Sequence, residues 1–129
     1  MLVVDASVLA PVIADGGPDG QRFRRRLDRE RIIGPDLLRI EVTSVLRRHA
    51  DAGLLTPEQA EAAMHDLLAF PIEVFPTSAL LPRIWDLRAN VSAYDGCYAA
   101  LAETADCPLL TADRRLAGAP GLRCTIELL

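Results

Sequence analysis

Apolar positions along this chain fall into short clusters whose spacing changes from run to run. "MLVV", residues 1–4, is a continuous apolar run ended by Asp5 and predicts a buried strand; "ASVLAPVIA" after it predicts a short helix. "DGGPDG", 15–20, reads as a loop from its Gly and Pro content, and "QRFRRRLDRER", 21–31, as a polar helix anchored by Phe23 and Leu27. Ile32 and Ile33 predict a short strand, which Gly34 and Pro35 break. Asp36 is then placed to cap a helix over "LLRIEVTSVL" that fades at Gly53. Thr56, Pro57 and Gln59 form a capping box with Pro in the first turn, opening a helix to about Phe70. "IEVF", 72–75, alternates as a strand does. Helices follow from Thr77 or Ser78 to about Ala89 and from Ala93 to Ala105. "PLL" at 108–110 predicts a strand, "TADRRLAG" a turn with one short helix, and "CTIEL" a closing strand. Strands alternating with helices point to one α/β domain over residues 1–129 with a mainly parallel sheet.

One position breaks the helical pattern. Leu37, Leu38, Val42, Val45 and Leu46 fill one arc of their helix, and Glu41 lies inside that arc. None of its neighbours one turn away is cationic, so no local ion pair neutralises it. Asp5 and Asp113 each follow a predicted strand, and each also reads as a helix N-cap. Ser92 and Asp95 have capping-box spacing, which is a sufficient structural account of Asp95. A parallel sheet can nevertheless bring all four acids to one edge, beyond the carboxyl ends of its strands, where ligands gather in α/β folds. Two carboxylates ~4 Å apart repel by ~4 kcal/mol at an effective dielectric near 20. Four together require protons or cations among them, and an all-oxygen site suits a hard ion such as Mg²⁺, with Mn²⁺ as a substitute.

Composition narrows the choices by exclusion. The chain has 129 residues, half of them hydrophobic and a quarter charged, with a formal charge of −4 that equals the four acids above. There is no lysine, so no lysine-dependent mechanism can run here. The longest apolar run, Val8 to Ala14, is far short of the ~20 residues of a membrane span. Asp5 interrupts the N-terminal run and no basic segment precedes it, which argues against a signal peptide and for a cytoplasmic protein. Cys97, Cys107 and Cys124, odd in number and without metal-like spacing, read as free thiols, with Cys107 in a turn. His49 and His65 have no ligand partner at metal spacing. "DGGPDG" lacks the Lys and hydroxyl of a phosphate-binding loop. Arg22, Arg24, Arg25, Arg26, Arg29 and Arg31 offer either a solvated face balanced by Asp28 and Glu30, an RNA contact or a protein contact. Phe70, Trp85 and Tyr98 are expected in the core or at a dimer contact, and Tyr94 in packing, although it could stack a base.

"VVDASVL", "LLRIEVTSVL", "SAYDGCYAALAE" and "LLTADRRLA" together resemble the successive motifs of PIN-domain ribonucleases, in particular the VapC-type toxins of bacterial toxin–antitoxin pairs. The four stand in register and cover nearly the whole chain. The resemblance implies an α/β/α sandwich around a parallel sheet of about five strands. It implies that Asp5, Glu41, Asp95 and Asp113 form an acidic metal site, supported by Ser7 and Thr111. It further implies a Mg²⁺-dependent endoribonuclease, a cognate VapB-type antitoxin and a homodimer. Arg114 and Arg115, beside Asp113, are candidates to touch RNA. Gly96 stands where the family often has Ala. A PIN nuclease of RNA processing without toxicity is the alternative. An aspartyl-phosphate phosphatase would call for Asp at position 7 and a lysine, and a receiver domain for that lysine too; position 7 is Ser7. A non-catalytic binding protein would be favoured by loss of one of the four acids, and none is lost.

Overall fold

The computed structural model describes residues 1–129. Five strands, β1 (Leu2–Val4), β2 (Ile32–Pro35), β3 (Glu73–Phe75), β4 (Leu109–Thr111) and β5 (Ile126–Leu128), form one sheet in the order β3-β2-β1-β4-β5. Every pairing is parallel. Val3 of β1 sits opposite Ile33 on one side and Leu109 on the other, and β1, β2 and β4 are fully buried. Apolar runs without alternation are what a sheet covered on both faces requires.

Seven helices cover the sheet: α1 (Ala6–Ala14), α2 (Pro18–Leu27), α3 (Leu38–Asp51), α4 (Pro57–Ala69), α5 (Leu81–Asp86), α6 (Ala93–Thr104) and α7 (Arg114–Ala117). Helix α1 packs with α2, α3 and α4, while α6 lies on β1, β2 and β4 beside α5. The buried apolar side chains form one contiguous cluster running from Leu2 to Leu116. No helix is long and apolar enough to cross a membrane. The α/β class, the parallel sheet of five strands and the helix layers agree with the reading of the sequence.

Several boundaries differ, each for a local reason. Helix α2 begins at Pro18, inside the expected loop, because Pro suits a first helical turn. It stops at Leu27, and Arg29 takes a positive φ of 64°. Gly20 is required in that helix, since a Cβ there would lie 2.0 Å from the Asp15 carbonyl oxygen. Gly34 and Pro35 continue β2 instead of breaking it; Pro35 sits opposite Phe75, and its missing N–H is tolerated at a strand end. Asp36 does not cap α3, whose N-cap is Leu37 without a side-chain bond. The helix expected over 77–89 is a 3₁₀ turn, Ser78–Leu80, followed by the short α5. The Thr56–Gln59 capping box forms in both directions.

Three of the six arginines of 22–31 tie the scaffold together. Arg26 forms a bidentate pair with Glu127 on edge strand β5, at 2.6 and 2.7 Å, and also bonds Glu30. Arg31 pairs with Glu73 on the opposite edge, and Arg24 donates to the carbonyls of Val12 and Asp15. Trp85, expected in the core or at a dimer contact, is outside the core, 67% exposed with the Arg88 guanidinium 4.5 Å above its ring. Cys107 is buried, and all three cysteines are free.

Gly96 yields a stability prediction. A Cβ there would meet Val91 Cγ2 at 3.5 Å and Ile84 Cγ2 at 3.6 Å, which is ordinary contact. Glycine inside a helix costs roughly 0.5–1 kcal/mol relative to Ala. Gly96→Ala is therefore expected to raise the melting temperature by about 3 °C, measured by thermal unfolding. An unchanged or lower value would show that the added methyl strains the first turn of α6.

Candidate metal centre

The strand order reverses between β1 and β4, so the chain leaves those two strands toward opposite edges of the sheet. That divergence opens a crevice beyond their carboxyl ends. A cleft of about 570 Å³ lies there, lined by Asp5, Ser7, Glu41, Asp95 and Asp113 among others. The four acids come from α1's N-cap, the first turns of α3 and α6, and α7's N-cap.

Asp5 is the deepest, at 5% exposure. Its Oδ1 accepts the Val8 N–H at 3.2 Å and the Ser7 hydroxyl at 2.5 Å, and its Oδ2 accepts the Thr111 hydroxyl at 2.5 Å. Ser7 Oγ accepts in turn from the Ala112 N–H at 2.8 Å, and Thr111 Oγ1 from the Asp113 N–H at 3.0 Å. The two hydroxyls thus clamp Asp5 while anchoring the segment that leaves β4. Burial pushes the Asp5 carboxyl above its usual range although these bonds oppose the shift. The N-cap reading and the site reading of Asp5 hold together: one side chain caps α1 and lines the cleft.

Glu41 is half-buried and accepts a hydrogen bond from the Tyr98 hydroxyl. Burial raises its carboxyl, and the charges of Asp95 and Asp5 raise it further. Asp95 uses its backbone N–H to bond Ser92 Oγ at 3.1 Å. The reciprocal half of the expected capping box is absent, which leaves the Asp95 carboxylate in the cleft. Burial raises it, with the Asp113 charge adding. Asp113 differs. It accepts the Arg115 guanidinium at 3.0 Å and the Arg115 N–H at 2.8 Å, and these hold its carboxyl below the ordinary value. No salt bridge reaches Asp5, Glu41 or Asp95.

The donor set is all oxygen, with three carboxylates free of cationic partners in one open cleft, and that chemistry fits a hard divalent ion. No three of the acids converge tightly enough to cage an ion alone. A hard divalent ion does not require such a cage, since Mg²⁺ is usually bound through one or two carboxylates and keeps several waters.

The sequence profile of the PIN domain matches residues 2–122. The chain belongs to the PIN-domain family. It is 42% identical to ribonuclease VapC1 of Mycobacterium tuberculosis over 128 residues, covering 98% of this chain and 96% of that one. It is 38% identical to a VapC ribonuclease of Mycobacterium bovis over 129 residues, covering 99% and 98%. Among solved structures it is similar to the sarcin–ricin-loop-cleaving toxin VapC20 of M. tuberculosis, with TM-score 0.70 at 17% identity over 95% of this chain and 99% of that one. It is also similar to VapBC2 of Rickettsia felis bound to a promoter DNA fragment, with TM-score 0.71 at 14% identity over 99% and 98%.

Arginine and tyrosine side chains complete the lining of this PIN cleft. Arg115 lines it; Arg114 and the arginines of 22–31 do not. Arg48 lines it and was missed, though it stands seven residues after Glu41, two turns along the same face of α3. Tyr94, expected in packing, is 63% exposed at the cleft. Tyr98 is in the core as expected, but its hydroxyl carries the contact with Glu41. Its place three residues after Asp95 was the available signal.

Proposed function

We propose that this protein is a Mg²⁺-dependent endoribonuclease toxin of the VapC type, neutralised by a cognate VapB-type antitoxin and acting in the cytoplasm. One observation carries the reading: Asp5, Glu41, Asp95 and Asp113 line a single cleft at the strand-order reversal, and three of them lack a cation. The relatives at 38–42% identity, VapC ribonucleases over nearly their whole length, support RNA as substrate and the antitoxin as partner. A homodimer belongs to the same reading and is tested by sedimentation at several concentrations.

In this reading Asp5, clamped by Ser7 and Thr111, is the central ligand. Asp95 and Asp113 would complete one site, and Glu41 would hold a second ion or orient water. A bound divalent ion would lower the pKa of water and stabilise charge on the phosphoryl oxygens. Tyr98 engages Glu41 Oε2, leaving Oε1 available to accept a proton from attacking water. Arg115, exposed and held to Asp113 by a surface contact, can exchange that partner for a phosphate oxygen. Arg48 stands on α3 as a second phosphate contact. The exposed ring of Tyr94 offers a stacking face for an unpaired base.

The test is 5′-end mapping of cellular RNA incubated with Mg²⁺ and either wild-type protein or Asp95→Asn. New ends at one or a few sites, present only with wild type, are expected. Identical end patterns with both proteins would overturn the site. Tyr94→Ala is expected to raise KM for the mapped substrate roughly tenfold, in line with base–aromatic stacking of ~1–3 kcal/mol, with little change in kcat. An unaltered KM would remove Tyr94 from the substrate path.

A further inference from the structure

We infer that Tyr98 is a positioning residue of the metal centre, fixing the Glu41 carboxylate through a neutral hydrogen bond. The inference rests on the metal reading above and adds a residue to it. Tyr98 is only 1% exposed, and its hydroxyl reaches across from α6 to Glu41 on α3. It lies one turn from Asp95 on the same helix, so α6 supplies both an acid of the cleft and the donor that orients another. Glu41 has no other hydrogen-bond donor from the protein and no cation beside it.

The kind of donor matters. A buried carboxylate is commonly fixed by arginine, whose charge would compete with a divalent ion for the same oxygens. A phenol fixes direction and leaves the full negative charge in place. Asp5 shows the same arrangement with the hydroxyls of Ser7 and Thr111. The one guanidinium bound to an acid of the cleft is on Asp113, at the exposed margin. Asp5 and Glu41 are therefore oriented by hydroxyl groups and, for Asp5, the Val8 N–H, with no cation among their donors, and outer partners of that kind set metal affinity.

The experiment is Mn²⁺ titration followed by thermal unfolding, without RNA, on wild type, Tyr98→Phe, Glu41→Gln, the double variant and Asp5→Asn. Tyr98→Phe keeps the ring in the core and removes only the donor. Its Mn²⁺ midpoint is expected about tenfold higher than wild type, the lower end of the effect of losing such a partner. Glu41→Gln is also expected to raise the midpoint, and adding Tyr98→Phe to it should change nothing further. Raised Mn²⁺ should restore cleavage by Tyr98→Phe. A Tyr98→Phe midpoint equal to wild type, in a protein whose response is lost in Asp5→Asn, would overturn this proposal alone. The same tenfold shift recurring in the Glu41→Gln background would also overturn it, by showing an effect that does not pass through Glu41. Wild type and Asp5→Asn responding equally to Mn²⁺ would sink the metal reading and this proposal with it.

Discussion

Asp5→Asn is expected to cut RNA about 1,000-fold more slowly than wild type, a loss of ~4 kcal/mol of transition-state stabilisation, and yet to unfold at the same or a higher temperature without metal. The two halves have one cause. Asp5 is the most buried acid of the chain, and burial already holds its carboxyl above the ordinary value. Its folded form therefore binds a proton more tightly than the unfolded chain does. Stability from this group is present at low pH and is lost as pH rises above the ordinary Asp value of 3.8 and through the raised folded one. An asparagine has no charge to desolvate. It keeps an oxygen for the Val8 N–H and Ser7 hydroxyl and presents its amide to Thr111 Oγ1, which can turn to accept. The difference in melting temperature between variant and wild type should shrink as pH falls through the raised carboxyl value. A difference that is constant with pH would mean that Asp5 carries no desolvation cost. Cleavage at the wild-type rate would remove Asp5 from the reaction.

Saturating Mn²⁺ is expected to raise the wild-type melting temperature by roughly 10 °C. At 100 times its dissociation constant an ion bound only to the folded state stabilises by about 2.7 kcal/mol, and a chain of this size gains a few degrees per kcal/mol. The ion also removes a cost already present, since Asp5, Glu41 and Asp95 line one cleft with no salt bridge to any of them, and the charges of Asp95 and Asp5 raise the Glu41 carboxyl. Asp95→Asn should lose most of the rise, because the Asp95 carboxylate lines the cleft and no salt bridge compensates it. Asp113 is the contrasting case. Arg115 already compensates it, so Asp113→Asn should lose less of the metal response than Asp95→Asn. Equal responses in wild type and Asp95→Asn would exclude Asp95 as a ligand.

The assignment of roles also separates two uses of arginine in a chain that has no lysine. The guanidinium of Arg26 binds two glutamates and links α2 to edge strand β5, and Arg83 joins α5 to α6 through Glu103 at 2.7 and 3.1 Å. Planar forks with two-point contacts suit that structural work. Arg48 and Arg115 are the arginines that line the cleft. None of the arginines of 22–31 lines the cleft.

By itself the sequence determined the class of the fold and the identity of the acids. The continuous apolar run Leu2–Val4 and the helical stripe of period 3.6 around Leu38, Val42 and Leu46 are local patterns, and they appear in the structure where the sequence put them. Caps with local bonding, such as Thr56 with Gln59, were equally legible. What only the tertiary structure decided depends on partners distant in the chain. Asp36 lost its capping role, and Gly34 and Pro35 joined β2, because pairing with β3 outweighed local turn preference. The fate of Arg26 was settled by Glu127, and that of Tyr98 by Glu41, residues 101 and 57 positions away. Local spacing places a side chain on a face, but only the order of strands and the crossing of α3 with α6 determine what that face meets.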